Sequence, residues 1–267
     1  MLINTVILFL KDLLPIFILL CLLKVNNANA VISKKVIFII VLLSIFGVIA
    51  TFKLLPLIGE MWDGTGIEIL QTIEVLLVYV LLVFSYSNVA LSKYSSVKQL
   101  YFISSAIVIF VTLNTSVFIV FLDSYITSSE FIKHIIAGLA IGLGICFSFS
   151  FLMYFLLIWL NKKQRYLVIY TFWALFLTGQ LSQIINLLQQ VDIIQSSAAL
   201  WDSSTLVEDS SEYGHLLKTL FGYEARPSSE FIMVYLGSLL VLYSYFFIQL
   251  RYKISESKQP EGRNYEH

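Results

Sequence analysis

Seven apolar stretches, each close to the roughly 20 residues that cross a bilayer core as a helix, run along this chain of 267 residues, most of them separated by short polar joints. They lie at about 3–23, 36–58, 67–87, 100–122, 135–160, 167–188 and 231–250. Sustained strand-like alternation is absent, so helices and not a closed barrel must satisfy the backbone in lipid. With 58% hydrophobic and 13% charged residues, and a mean hydropathy of +0.86, the chain has too little polar surface to cover a soluble globule. The expected fold class is all-α, a polytopic protein of seven transmembrane helices solvated by the lipid bilayer.

Residues 1–188 read as a six-helix membrane core, 189–230 as an acidic outer loop that includes the run from Asp202 to Glu212, 231–250 as the seventh span and 251–267 as a cytoplasmic tail. Basic residues collect in alternate joints: Lys24, Lys34 and Lys35; Lys93 and Lys98; Lys162, Lys163 and Arg165; and, in the tail, Arg251, Lys253, Lys258 and Arg263. Those joints are expected on the cytoplasmic side, which puts the N-terminus out and the C-terminus in, in the inner membrane. Lys53, Lys133, Lys218 and Arg226 fall on the other side, together with Glu60, Asp63, Asp123 and Glu130. The first span has a rival reading as a cleaved signal, with Leu13 to Leu23 as its apolar core and Ala28-Asn29-Ala30 as the cleavage site. Against that reading, the residues before the core lack the usual positive charge and Lys24 follows it, as a retained span would require.

The net charge is zero and no basic patch interleaves with aromatics, so nucleic acid is excluded as a partner. Cys21 and Cys146 sit in apolar runs without ligand spacing and read as small hydrophobes. His134, His215 and His267 lie at a span edge, in the loop and at the terminus, and no serine, histidine and aspartate are arranged for nucleophilic catalysis; no enzyme activity and no cofactor are expected.

An ionisable side chain at bilayer depth costs at least about 2.5–3.5 kcal/mol, so each needs a partner or a purpose. Lys11-Asp12 in the first span is either a self-neutralising pair or a ligand carboxylate beside a cation. In the third span Glu68 lies at the edge, whereas Glu74 is about 9 Å deeper at 1.5 Å per residue. Asn114-Thr115-Ser116 in the fourth span offers uncharged donors and acceptors for packing or for a path. On the sixth, Gln180, Gln183 and Asn186 share nearly one face at three-residue spacing, aimed at a neighbour or a polar cavity. Gly138 and Gly142, with Ala140 and Gly144 one face round, allow another backbone to approach the fifth span. Spans one to three and four to six run in opposite senses, a three-plus-three arrangement with one helix added, as in inverted-topology transporters.

The loop carries the most specific pattern: Leu200-Trp201-Asp202, then Leu216-Leu217-Lys218-Thr219-Leu220-Phe221-Gly222-Tyr223, then Arg226-Pro227-Ser228 before the last span. Leu216, Leu217, Leu220 and Phe221 give one apolar face to a short interfacial helix that Gly222 ends, while Pro227, Ser228 and Ser229 suit the start of the seventh span. This segment resembles the C-terminal part of the oxidase-dependent high-affinity iron permeases, the family of the fungal ferric permeases and the bacterial EfeU type. Span number, a small-residue fifth span, a basic turn before the sixth and the place of the long loop extend the resemblance over nearly the whole chain.

The resemblance implies iron(III) transport through Arg-Glu-x-x-Glu motifs on spans one and four, carboxylates suited to a hard cation. The motifs are degenerate here. Lys11-Asp12-Leu13-Leu14-Pro15 puts Asp12 and Pro15 at the first two glutamate positions, and Asn114-Thr115-Ser116-Val117-Phe118 puts Thr115 and Phe118 at the other two. Asp12, Glu74, Asp63 and Thr115 are therefore the candidate metal ligands, and Asn114, Gln180 and Gln183 the candidate path. Three roles stay open: an iron permease, alone or served by an iron-oxidising partner outside the membrane; a non-transporting paralogue that assembles with or regulates permease subunits through its acidic loop; or a carrier for another small solute.

Overall fold

The computed structural model describes residues 2–26, 33–91, 97–128, 132–163 and 166–257. Lys93, Glu130, Arg165, Lys258, Arg263, His267 and the Ala28-Asn29-Ala30 segment lie outside them, as do the side chains of Lys98, Lys133, His134 and Lys253. The described residues are mostly helical, joined by turns and by one long loop, and contain no strand. In chain order the α-helices are α1 (Leu2–Leu8), α2 (Leu14–Asn26), α3 (Lys34–Gly59), α4 (Gly66–Leu91), α5 (Val97–Ser128), α6 (Ile132–Lys162), α7 (Tyr166–Gln190), α8 (Glu212–Phe221) and α9 (Ser229–Ser257). Seven segments are long and apolar enough to cross a membrane: α1 with α2, then α3, α4, α5, α6, α7 and α9. The chain is a multi-pass membrane protein by that measure, and the last span continues as helix past residue 250 into the expected tail.

Local chemistry explains the helix ends. Ser33 caps α3 by accepting from the Val36 amide, and Ser211 caps α8 by accepting from the Gly214 amide. Gly222 closes α8 at φ 69°, a left-handed position that a Cβ would strain. Ser228 accepts from the Phe231 amide at the start of α9. Between α1 and α2 the first span makes a π-helical turn over Phe9–Leu13, in which the Leu14 amide reaches Phe9 O. Pro15 explains an unfilled acceptor there: it has no N–H, so in the same i→i+5 pattern Leu10 O loses its donor. Thr219 Oγ1 of α8 reaches the place, sharing its one proton between His215 O of its own helix at 2.8 Å and Leu10 O at 3.1 Å.

Burial separates centre from periphery. The first span is 67% buried over its most apolar window and the sixth 61%, against 6% for α3, whose side chains face outward along most of its length. α3 and α4 pack on α5, the first span packs on α6, and α7 packs on α4, α8 and α9. Phe9, Leu14, Ile18, Leu22, Tyr170 and Trp173 form the middle of the core. Gly142 explains the small-residue stripe of the fifth span: a Cβ there would lie 2.5 Å from the Phe9 ring, so a ring and not a backbone makes the close approach, while Gly144 faces open space. The backbone approach occurs instead at Gly179, where a Cβ would meet the Gly222 amide at 2.6 Å. It draws α8 onto α7 and turns Leu220 into the bundle, while Leu216, Leu217 and Phe221 of the same face stay half-buried.

Candidate functional site

A polar cavity of about 260 Å³ opens where spans one, three, four and six meet α8. Along α7 it is lined by Gln180, Gln183, Asn186 and Gln190, a depth of about 15 Å at helical rise. The three-residue spacing read in the sequence does place Gln180, Gln183 and Asn186 on one wall. Opposite them α4 contributes Gln71 and Glu74, the π turn contributes Lys11 and Asp12, and α5 contributes Asn114. α8 adds His215, Lys218 and Thr219.

Asp12 and Glu74 are both 6% exposed, yet Asp12 Oδ2 and Glu74 Oε1 have no hydrogen-bond partner among the described residues. Gln183 Nε2 is in the same condition. Lys11 does not neutralise Asp12 by direct contact: its ammonium lies 5.8 Å from the centroid of the Phe121 ring, and the ion pairs within 4 Å among the described residues are Lys218–Glu224 and Arg226–Asp202. Unpaired carboxylates at this depth are costly and mark intramembrane function more often than structure. The π turn contributes geometrically, since the extra residue rotates Asp12 relative to a straight helix and such turns recur at functional sites.

Two candidate ligands are not brought to the cavity. Asp63 sits at φ 57° in the 3₁₀ turn Trp62–Gly64 and is exposed, on the short connection between α3 and α4. Thr115 is half-buried but does not line the cavity, because it is turned a helical step from Asn114. The Asn114-Thr115-Ser116 run divides its work: Ser116 Oγ donates to Thr112 O at 2.6 Å and Val48 O at 3.4 Å, joining α5 to α3, while Asn114 Nδ2 donates to Phe110 O at 2.8 Å beside the cavity. Among the described residues no three histidine, cysteine, aspartate or glutamate side chains gather closely enough to hold a metal ion. Cys21 and Cys146 are free thiols, Cys146 fully buried and 3.8 Å from Phe9 O.

Sequence reasoning missed Gln71, which stands three residues before Glu74 and so carries the same spacing signal as the sixth span. It also missed Glu224, for which no local signal exists. Glu224 Oε2 accepts from Lys218 Nζ at 2.7 Å and from Asn186 Nδ2 at 2.9 Å, and Asn186 also donates to Gln183 Oε1 at 3.3 Å. Burial holds the His215 imidazole below its usual pKa, reinforced by the Lys218 and Lys11 charges. On the outside of the loop, hydrogen bonds from the Ser204 side chain and amide, then the Arg226 guanidinium, pull Asp202 down to about 2.

Compared with models of protein families, with curated proteins and with solved structures, the chain matches none.

Proposed function

We propose that this chain is a cation permease on the iron-permease plan, with the cavity as its path and iron(III) as its inherited cargo. The observation that carries the proposal is the pair of buried, unpartnered carboxylates, Asp12 and Glu74, facing one polar cavity from two spans. Asp12 occupies the one acidic position left of the four motif glutamates, and Glu74 supplies a second carboxylate from a span outside the motifs.

The inverted three-plus-three reading gains support from side-chain register. Phe9 stands two residues before Lys11, and Thr112 two residues before Asn114, so the two are equivalent in the degenerate motifs. Phe9 packs on Gly142 of the fifth span, and Thr112 packs on Gly47 of the second. Gln71 and Glu74 on span three carry the same three-residue spacing as Gln180 and Gln183 on span six, and all four line the cavity. The symmetry is incomplete, because α4 packs closely on α5 while the first span does not pack on α7 to that extent. With the basic joints on the cytoplasmic side, this reading keeps the N-terminus out, the C-terminus in and the long loop outside the inner membrane.

A second reading, a non-transporting assembly or regulatory subunit, is favoured by one feature of the loop. Leu200, Trp201, Leu206 and Tyr213 are each at least half exposed, with Leu206 at 85%, apolar surface of the kind that partners cover. Uptake of labelled Fe(III) into cells stripped of their own iron importers separates the two readings. The permease predicts uptake above background that falls with Asp12→Ala at matched membrane abundance; no uptake from well-inserted protein leaves the subunit reading in its place.

A further inference from the structure

We propose that Glu224 is the entry station for the cargo cation, and that Lys218 occupies this station until a cation displaces it. The inference rests on the permease reading and adds a residue outside the membrane spans to it. The deep carboxylates Asp12 and Glu74 do not belong to any three-ligand cluster among the described residues, so a hard cation that reached them unaided would arrive under-coordinated. Glu224 lies at the other end of the same polar wall. Its two donors, Lys218 and Asn186, both line the cavity. From Asn186 the wall continues to Gln183, whose Oε1 is bonded to Asn186 and whose Nε2 has no partner among the described residues, and then to Gln180. Each step along α7 is three residues, less than one helical turn.

Lys218 suits the role of a displaceable cation. Its side chain is 28% exposed and that of Glu224 17%, so water reaches the pair and the ammonium has solvent to leave into. An ammonium on a four-carbon stem is a compact charge that swings away without moving its helix. α8 itself stays in place, fixed by the Gly179–Gly222 approach and by Thr219 on Leu10 O. A cation that replaces Lys218 gains the Glu224 carboxylate, which Asn186 Nδ2 continues to hold in place, then passes inward to Asp12 and Glu74. Conduction requires several stations of this kind, each strong enough to admit the ion and weak enough to release it.

The alternative is a structural staple, in which the pair only ties α8 to the loop. The two accounts differ in sign. Terbium(III), a luminescent hard trivalent cation, is titrated into the purified full chain in detergent, with thermal unfolding recorded for every variant. The entry-station account predicts that Lys218→Gln tightens terbium binding about tenfold and Glu224→Gln weakens it about tenfold, the scale of one charge-assisted hydrogen bond. The double variant then matches Glu224→Gln. A staple predicts that both single variants lower the unfolding temperature together, that neither changes terbium affinity, and that reversing the pair as Lys218→Glu with Glu224→Lys restores stability; that result overturns the inference. Should Glu224→Gln fail to fold, Lys218→Gln alone decides by whether affinity rises. Folded wild-type protein that binds no terbium, with Asp12→Leu indistinguishable from it, refutes the permease reading as well. Binding that Asp12→Leu abolishes but the Lys218 variant leaves unchanged refutes the entry station alone.

Discussion

The deep end of the cavity and the loop that flanks it treat polar groups in opposite ways. In the loop many polar side chains are tied to one another: Gln189 on Ser228 at 3.0 Å, Ser197 on Ser229 and Glu230, Tyr223 shared between Ser203 and Val207 O, and Asp209 on the Ala225 amide. Three residues at the deep end, Asp12, Glu74 and Gln183, keep atoms without partners among the described residues, at a depth where each such atom is expensive. The deep end holds unpaired groups that cost stability, and on the permease reading a fold that keeps them trades stability for function.

Substitutions test this contrast directly. The largest expected effect is Gly179→Val, which drives a side chain into the Gly222 backbone and should cost about 3 kcal/mol in unfolding measurements; a stable variant would mean that α8 is not held where it lies. Next come Asp12→Leu and Glu74→Leu. Each should remove uptake while leaving stability level or higher by about 1–2 kcal/mol, because an unpaired buried polar group disappears. A sharp fall in stability would make these carboxylates structural and erase the contrast.

Thr219→Val keeps the shape of the side chain but leaves Leu10 O without a donor, at a cost of about 1 kcal/mol in the same assay. Acid should loosen α8 through His215. Its folded pKa lies below the usual 6.5, so the folded state resists protonation, and stability is full above 6.5 and declines as pH falls from there toward the folded value. His215→Gln should flatten that part of the pH profile; an unchanged profile assigns the dependence elsewhere. The smallest effect belongs to Arg226→Gln. Its partner Asp202 has a folded pKa depressed to about 2, so the pair is present above pH 3.8 and lost as pH falls toward 2, and its exposure makes the stability change slight and erased by high salt.

Much of this architecture is legible in the sequence because lipid imposes a local rule. Each span must be apolar over a fixed length, and each observed apolar span begins and ends within about two residues of the expected one. Gly222 and the serines at the start of α9 are visible for the same reason, since capping is settled within one turn. The Gln180, Gln183 and Asn186 wall follows from spacing alone. What sequence spacing does not reveal is tertiary packing. Asp63 is excluded from the cavity by a turn, Thr115 by one step of helical rotation, and Glu224 enters only because a glycine on α7 admits the end of α8. The π turn likewise depends on Pro15 together with a threonine some two hundred residues away in the chain.

The most direct test of the central claim is flux of labelled Fe(III) into liposomes containing the purified full chain, with wild type, Asp12→Leu and Glu74→Leu at equal protein density. The cation-path account predicts saturable flux for the wild type and a loss of at least about tenfold in both variants, the scale of one charge-assisted hydrogen bond, with unfolding temperatures that do not fall. Flux unaffected by either substitution, or no flux from folded wild-type protein, contradicts it.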